Sequence, residues 1–235
     1  MTTALVVPVL SNFAGLAELL ASVDEPVLPV VVDNWASNRG VAGGWNAGLR
    51  RAMAAGCEHT VLANDDCAFL PGTLGKLVAS LGRWLVVSPL NVWEYPDGWA
   101  AAETYRPPLD FGCVALRTFE FVARVGLFDE NFWPAYWEDI DMQRRLELVA
   151  ADARGGTRWD APYRHHVSVT QLSVPGGVRT AADHARSEAY YAAKWGGGIG
   201  EETYATPFGV PGASVAEWPE PLSRRPGGTG GTGQR

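Results

Sequence analysis

Short apolar runs alternating with helix-length segments constrain this chain more than any other feature. Residues 4–10, 26–32, 60–62, 84–88 and 111–117 are rich in Val, Leu and other apolar residues. They have the length of buried strands. Helices are predicted between them. One covers 13–21 behind a cap at Ser11 or Asn12, one opens at Pro71-Gly72-Thr73 and runs to 81, and a short one covers 118–125. Residues 37–55 read as a Gly-rich loop followed by a helix, with Trp45, Leu49 and Met53 four residues apart. This alternation predicts an α/β fold with a largely parallel sheet.

Two of these runs end in polar residues. VLPVVV is followed by Asp33-Asn34, and TVLA by Asn64-Asp65-Asp66. In such sheets ligands gather at the carboxyl ends of strands. Adjacent carboxylates there repel unless a cation or a set of donors offsets them. On a continuing strand Asn64 and Asp66 would share one face and Asp65 the other. That arrangement suits Mg²⁺ or Mn²⁺. The same residues suit a solvated strand-to-loop turn, and the stretch alone leaves both readings open. The glycines of 37–55 would let backbone approach a ligand, and a helix N-terminus favours phosphate. Neither GxxxxGK[ST] nor a full GxGxxG is present, so a plain connection is the simpler reading.

The second half adds further candidates. Residues 91–108 read as a long loop, a class that often forms lids or binding loops. A helix is predicted from Glu138, with Met142, Leu146 and Val149 as its buried stripe. Glu138, Asp139 and Asp141 crowd its first turn, where acids favour the helix dipole. They also follow an aromatic, Pro-broken segment, 132–137, that has the character of a pocket wall. His165 and His166 end a short strand within 161–170, and one of them is a candidate ligand beside an acidic metal site. A last helix is predicted over 179–195. Residues 219–235 are rich in Pro, Gly, Thr and Arg and are expected to be disordered. That leaves one domain over 1–218.

Composition narrows the classes. The chain has 235 residues, 47% hydrophobic and 19% charged, which is a globular balance. A net charge of -7 argues against a broad nucleic-acid-binding face. Cys57, Cys67 and Cys113 are too scattered for a disulfide framework or a zinc cluster. The N-terminus lacks a basic region and is interrupted by Pro8, unlike a signal peptide. No apolar run reaches spanning length, so a cytoplasmic location is expected. Ten tryptophans, among them Trp93, Trp99, Trp133 and Trp137, serve either core packing or stacking on a sugar or base.

Taken together, DN at 33–34, SNRGVAGGWNAGLRRA, VLANDDCAFLPGTL, FGCVALR, VGLFDENFWPAYWEDIDMQRR, the late HH and YYAAKWGG resemble a glycosyltransferase of the GT-A fold, family 2 type. The resemblance covers roughly residues 4–197. Each motif is short, and their number, order and spacing carry the match. It implies a single Rossmann-like α/β domain with a mixed, mainly parallel central sheet flanked by helices. It further implies that Asp33 meets the donor base, with Asn38, Asn46, Asn64 and Asp65 also on the donor side. Asp66 would hold a divalent metal, Mn²⁺ or Mg²⁺, with His165 fitting the late ligand position better than His166. Asp139 of the Glu138-Asp139 pair would be the general base. Trp133, Tyr136 and Trp137 would face the acceptor. Asn64 stands where the motif usually has a carboxylate.

The reaction implied is inverting, metal-dependent transfer of a sugar, of hexosyltransferase type, from a UDP- or dTDP-sugar to an acceptor hydroxyl. A glycan, a lipid-linked sugar, a protein or a modified DNA base would each offer such a hydroxyl. A sugar nucleotidyltransferase is the alternative enzyme of this fold, but its usual basic Gly-rich loop is replaced after the first strand by PVLSNFAG. A non-catalytic nucleotide-sugar-binding protein is the other alternative, and retention of Asp66 and Asp139 counts against it.

Overall fold

Every residue of the first strand but one is buried, and this strand sets the layering. The computed structural model describes residues 2–35, 37–95, 98–101, 109–166, 169 and 180–219. In β1 (Thr3–Val9) alternate side chains point to opposite faces. Ala4 and Val6 join one apolar cluster and Leu5, Val7 and Val9 another. The chain continues through α1 (Phe13–Ala21), β2 (Leu28–Asp33), α2 (Gly40–Ala54), β3 (His59–Ala63), β4 (Cys67–Phe69), α3 (Thr73–Ser80) and β5 (Val86–Tyr95). Then come β6 (Gly98–Ala101), β7 (Cys113–Arg117), α4 (Thr118–Arg124), α5 (Glu138–Ala150), β8 (Arg154–His165) and α6 (Ala181–Trp195). The cluster on one face draws from α2, α4 and α5, and the cluster on the other from α1 and α3. The result is a helix–sheet–helix sandwich.

The eight-stranded sheet is mixed, in the order β2-β1-β3-β7-β5-β8-β4, with β6 paired to β5. Parallel pairing joins β2, β1 and β3, and also β5 and β8. Beyond β3 the direction reverses, because β7 is antiparallel to both β3 and β5. β4 is antiparallel to β8. β7 therefore begins where β3 ends, with Cys113 opposite Ala63.

Three local expectations change. The Gly-rich segment is helix, not loop, from Gly40 onward. Its glycines serve close packing on β1. A Cβ at Gly44 would lie 2.7 Å from the Pro8 Cβ, and one at Gly48 would collide with Val6 Cγ1. Residues 91–95 belong to β5 and 98–101 return as β6, and the rest of the expected loop, 96–97 and 102–108, lies outside the described residues. β3 stops at Ala63, and Asp65-Asp66 form a turn before β4. The period-two argument for Asn64 and Asp66 therefore does not apply. The expected tail lies, from 220 on, outside the described residues.

Close approach of α2 to β1 makes Gly48→Ala a sharp test of the packing. We expect it to cost about 1–3 kcal/mol of stability by overpacking against Val6, read as a lower urea midpoint at unchanged slope.

Candidate functional site

The polar residues gather where the parallel strands end. Asp33 sits at the carboxyl end of β2, exposed, with its Oδ1 accepting a hydrogen bond from the Trp35 amide (2.7 Å). Asn64 follows β3, half-buried, and its amide donates to the Gly112 carbonyl (2.9 Å). Asp65 is buried, and its carbonyl accepts from Asn12 Nδ2 (2.9 Å), tying the turn to the α1 cap. Asp66 is buried beside it.

β8 delivers the partner of Asp66. Its last residue, His165, pairs with Cys67 across the β4–β8 ladder. His165 Nε2 thereby comes 3.2 Å from Asp66 Oδ1. His166 is exposed and uses its backbone amide on the Asp66 carbonyl (2.9 Å), so His165 is the imidazole that faces Asp66. Burial pushes the Asp66 carboxyl up, but the His165 hydrogen bond and charge outweigh it and hold the group below the usual carboxylate range. Burial alone would lower His165; Asp66 and Asp110 beside it win and raise it.

Ligand atoms of Asp66, Cys67 and His165 lie within 4.8 Å of one another. Asp66 Oδ1 is buried with the His165 ring nitrogen beside it, and a carboxylate with an imidazole suits Mn²⁺ or Mg²⁺. Cys67 does not suit these hard ions. Its thiol donates to the Gly112 carbonyl (3.2 Å), and burial pushes its pKa well up. The residues thus fit a hard cation with two protein ligands, Asp66 and His165.

Asp110, which the sequence reading passed over, stands next to this pair. Its Oδ2 accepts from the Tyr163 hydroxyl (2.7 Å), and its Oδ1 lies 4.0 Å from His165 Nδ1. Its charge also helps raise the pKa of Asp139, although burial is the larger cause. Asp139 Oδ1 has no hydrogen-bond partner among the described residues. The neighbouring Glu138 is buried at the start of α5.

Two consecutive residues in the left-handed region, Tyr136 (φ 71°) and Trp137 (φ 76°), aim this turn. Non-glycine residues pay strain there, which the surroundings must hold in place. The wall segment leans on the start of α2. Val41 N donates to the Pro134 carbonyl (2.9 Å), and Trp133 Nε1 to the Asn38 carbonyl (3.3 Å). Gly40, at φ 71°, admits this contact, since a Cβ there would lie 2.7 Å from the Pro134 oxygen. Asn38 is exposed, and its Oδ1 accepts from the Gly40 amide.

Two expected site residues take structural roles. Asn46 is fully buried and binds the Phe128 backbone through both its amide groups, with a further bond to Glu130 Oε1 (3.0 Å). A polar residue on the inner face of α2 needs such partners, and none of its capacity is directed at a donor. Trp137 is buried in a cluster with Phe132, Tyr191 and Trp195, which makes it part of the wall's core. Trp133 is 38% exposed and Tyr136 half-buried, which keeps both at the rim.

A buried ion network fastens this wall to α6. Lys194 Nζ lies 2.8 Å from both Asp129 Oδ2 and Asp141 Oδ1, with all three side chains fully buried. Asp141 Oδ2 accepts from Arg145 Nε (2.9 Å), and its Oδ1 also accepts from Trp195 Nε1 (2.9 Å). Of the three acids in the first turn of α5, Asp141 is therefore structural. Burial would raise its carboxyl, but Lys194 and Arg145 together hold it below its ordinary 3.8.

No protein-family model matches the chain, and no curated protein matches it. Solved structures do. GalNAc-T7 with UDP, GalNAc and Mn²⁺ superposes with a TM-score of 0.55 at 15% identity, over 83% of this chain and 50% of that one. The catalytic domain of Drosophila β1,4-galactosyltransferase 7 with xylobiose gives 0.55 at 13%, over 79% of each. S. aureus TarS 1-349 gives 0.51 at 16%, over 69% of this chain and 59% of that one. The chain thus spans about half to four-fifths of the structures it resembles, and it shares the fold of GT-A glycosyltransferases. No helix among the described residues is long and apolar enough to cross a membrane.

The network predicts a stability change of known sign. Lys194→Met leaves two buried carboxylates without their shared cation and should cost about 3–5 kcal/mol at pH 7, measured by denaturant unfolding. The Asp141 carboxyl is depressed in the fold, so its contribution is present above its ordinary value and lost as pH falls through the lower folded value. The variant should therefore unfold at a higher pH than the wild type during acid titration.

Proposed function

We propose that this protein is a metal-dependent glycosyltransferase that moves a sugar from a nucleoside-diphosphate donor, UDP- or dTDP-linked, to an acceptor hydroxyl with inversion. The observation that carries the reading is Asp66 facing His165 at the carboxyl edge of the β2-β1-β3 triplet, with Asp110 and Asp139 close by. Neighbours of this fold have been solved with UDP, with UDP-GlcNAc and with Mn²⁺, which supports the donor and metal classes.

Asp66 and His165 would hold the divalent ion, which supplies charge neutralisation for a departing diphosphate. Asp33, exposed at the end of β2, would accept hydrogen bonds from a base. Asn38 and the turn Asn64-Asp65 would make further donor-side contacts. Asp139 would take the acceptor proton. Its raised pKa makes it a stronger base than an ordinary aspartate, and its unpartnered Oδ1 leaves an acceptor for that proton. Glu138 would support it from the same turn. Trp133 and Tyr136 at the rim would bound the acceptor side.

A panel of UDP- and dTDP-sugars with Mn²⁺ or Mg²⁺ tests this directly, read as release of nucleoside diphosphate. Release should need the metal and disappear with chelator. Asp66→Ala should abolish it, and Asp139→Asn should lower it by about 10²–10⁴-fold. Silence across the panel, or full activity in Asp66→Ala, would sink the reading.

A further inference from the structure

We propose that Asp110 and Tyr163 form a relay that orients His165, so that its Nε2 is presented to the cation that Asp66 would share. The inference rests on the metal site proposed above and adds positioning residues to it.

His165 offers two nitrogens with different surroundings. Nε2 faces Asp66 Oδ1, and Nδ1 faces the Tyr163 hydroxyl at 3.5 Å and Asp110 Oδ1 at 4.0 Å. The Tyr163 proton is directed elsewhere, into Asp110 Oδ2 at 2.7 Å. A phenol that donates to a carboxylate keeps its lone pairs for an incoming donor. Nδ1–H is that donor. A neutral imidazole protonated at Nδ1 has its free lone pair at Nε2, the geometry a cation ligand needs. Metal-bound histidines commonly hand their second N–H to a carboxylate in this manner.

Further contacts serve the same arrangement. Asp110 is fixed by its backbone amide donating to Ser88 Oγ (3.0 Å) and by its Oδ1 accepting from Gly112 N (2.9 Å). Gly112 leaves the space in which the His165 ring sits, since a Cβ there would overlap Nδ1 and Cε1 and approach the Tyr163 hydroxyl to 2.8 Å. The Tyr163 and His165 rings stack at 6.0 Å with 23° between planes, and Asn91 Oδ1 accepts the His165 backbone amide (3.1 Å). Backbone, ring and far nitrogen are thus all held by neighbours.

The test uses Asp110→Asn and Tyr163→Phe in the full chain, with two readouts. Imidazole ¹⁵N spectra of the protein with UDP and diamagnetic Mg²⁺ should show His165 with Nδ1 protonated and Nε2 shifted by the cation in the wild type. Both variants should lose the cation-shifted Nε2 signal at the same Mg²⁺ concentration. Mn²⁺ affinity in the presence of UDP should fall about 10–100-fold in each. Tyr163→Phe keeps the ring and the Asp110 backbone contacts, so it carries the test alone if Asp110→Asn folds poorly. Variants with the wild-type ¹⁵N spectrum and wild-type Mn²⁺ affinity would overturn the relay while leaving the metal site standing. A wild-type protein that binds no Mn²⁺ would overturn the transferase reading and the relay with it.

Discussion

The antiparallel pairing of β7 with β3 is the constraint on which the site depends. In a fully parallel sheet every strand presents its carboxyl end on one edge, and ligand groups come only from the residues that follow strands. Here β7 starts beside the end of β3, with Cys113 opposite Ala63. The residues that precede β7, Asp110 to Gly112, are thereby brought against the residues that follow β3. The Gly112 carbonyl accepts both the Asn64 amide and the Cys67 thiol, so one short turn holds the other. A second reversal, β4 against β8, puts His165 beside Cys67 and its ring beside Asp66. Two changes of strand direction assemble a cluster that no single parallel edge would supply.

The wall that carries Asp139 depends on a different interaction. Its two left-handed residues and the first turn of α5 are held by α6 through Lys194, between Asp129 and Asp141. The two acids, Asp129 and Asp141, and the two bases, Lys194 and Arg145, balance in charge, and further partners come from Tyr190, Trp195, Asn131 and backbone carbonyls. Such a network contributes less to net stability than to fixing one arrangement, because apolar packing of the same volume would serve stability as well. At this position a fixed arrangement is what matters, since a shift of α5 against α6 would move Asp139.

Much of this was legible in the sequence. Strand and helix order, the edge at Asp33 and Asn64-Asp65-Asp66, the acidic start of α5 and the late histidine all follow from runs, caps and turn chemistry. What stayed hidden depends on strand direction and burial. Asp110 carries no mark in DFGCVALR, because only the reversal of β7 places it at the site. The resemblance puts Asn46 on the donor side, while the glycines around it seat α2 on Pro8 and Val6 and turn Asn46 inward. Trp137 and Asp141 lie among residues expected at the pocket, and only the docking of α6 shows that both face the core. Period-two reasoning failed at Asn64 and Asp66 for a local reason: the chain leaves the strand at Ala63.

The two acids on which the proposed chemistry turns differ in environment, and that difference separates their roles. Asp66 and Asp139 both lose solvent, which by itself raises each carboxyl. Only Asp66 has a basic ring within reach, so it ends below the ordinary range and stays ionised. Asp139 has backbone donors but no cation among the described residues, so burial, with the Asp110 charge added, leaves it above. A carboxylate with a lowered pKa is suited to hold a cation, and one with a raised pKa is suited to take a proton. Asp110 contributes to both sides of this division. It accepts from Tyr163 behind His165, and its negative charge bears on Asp139. A single residue outside the recognised motifs thus links the metal half of the proposed site to the base half.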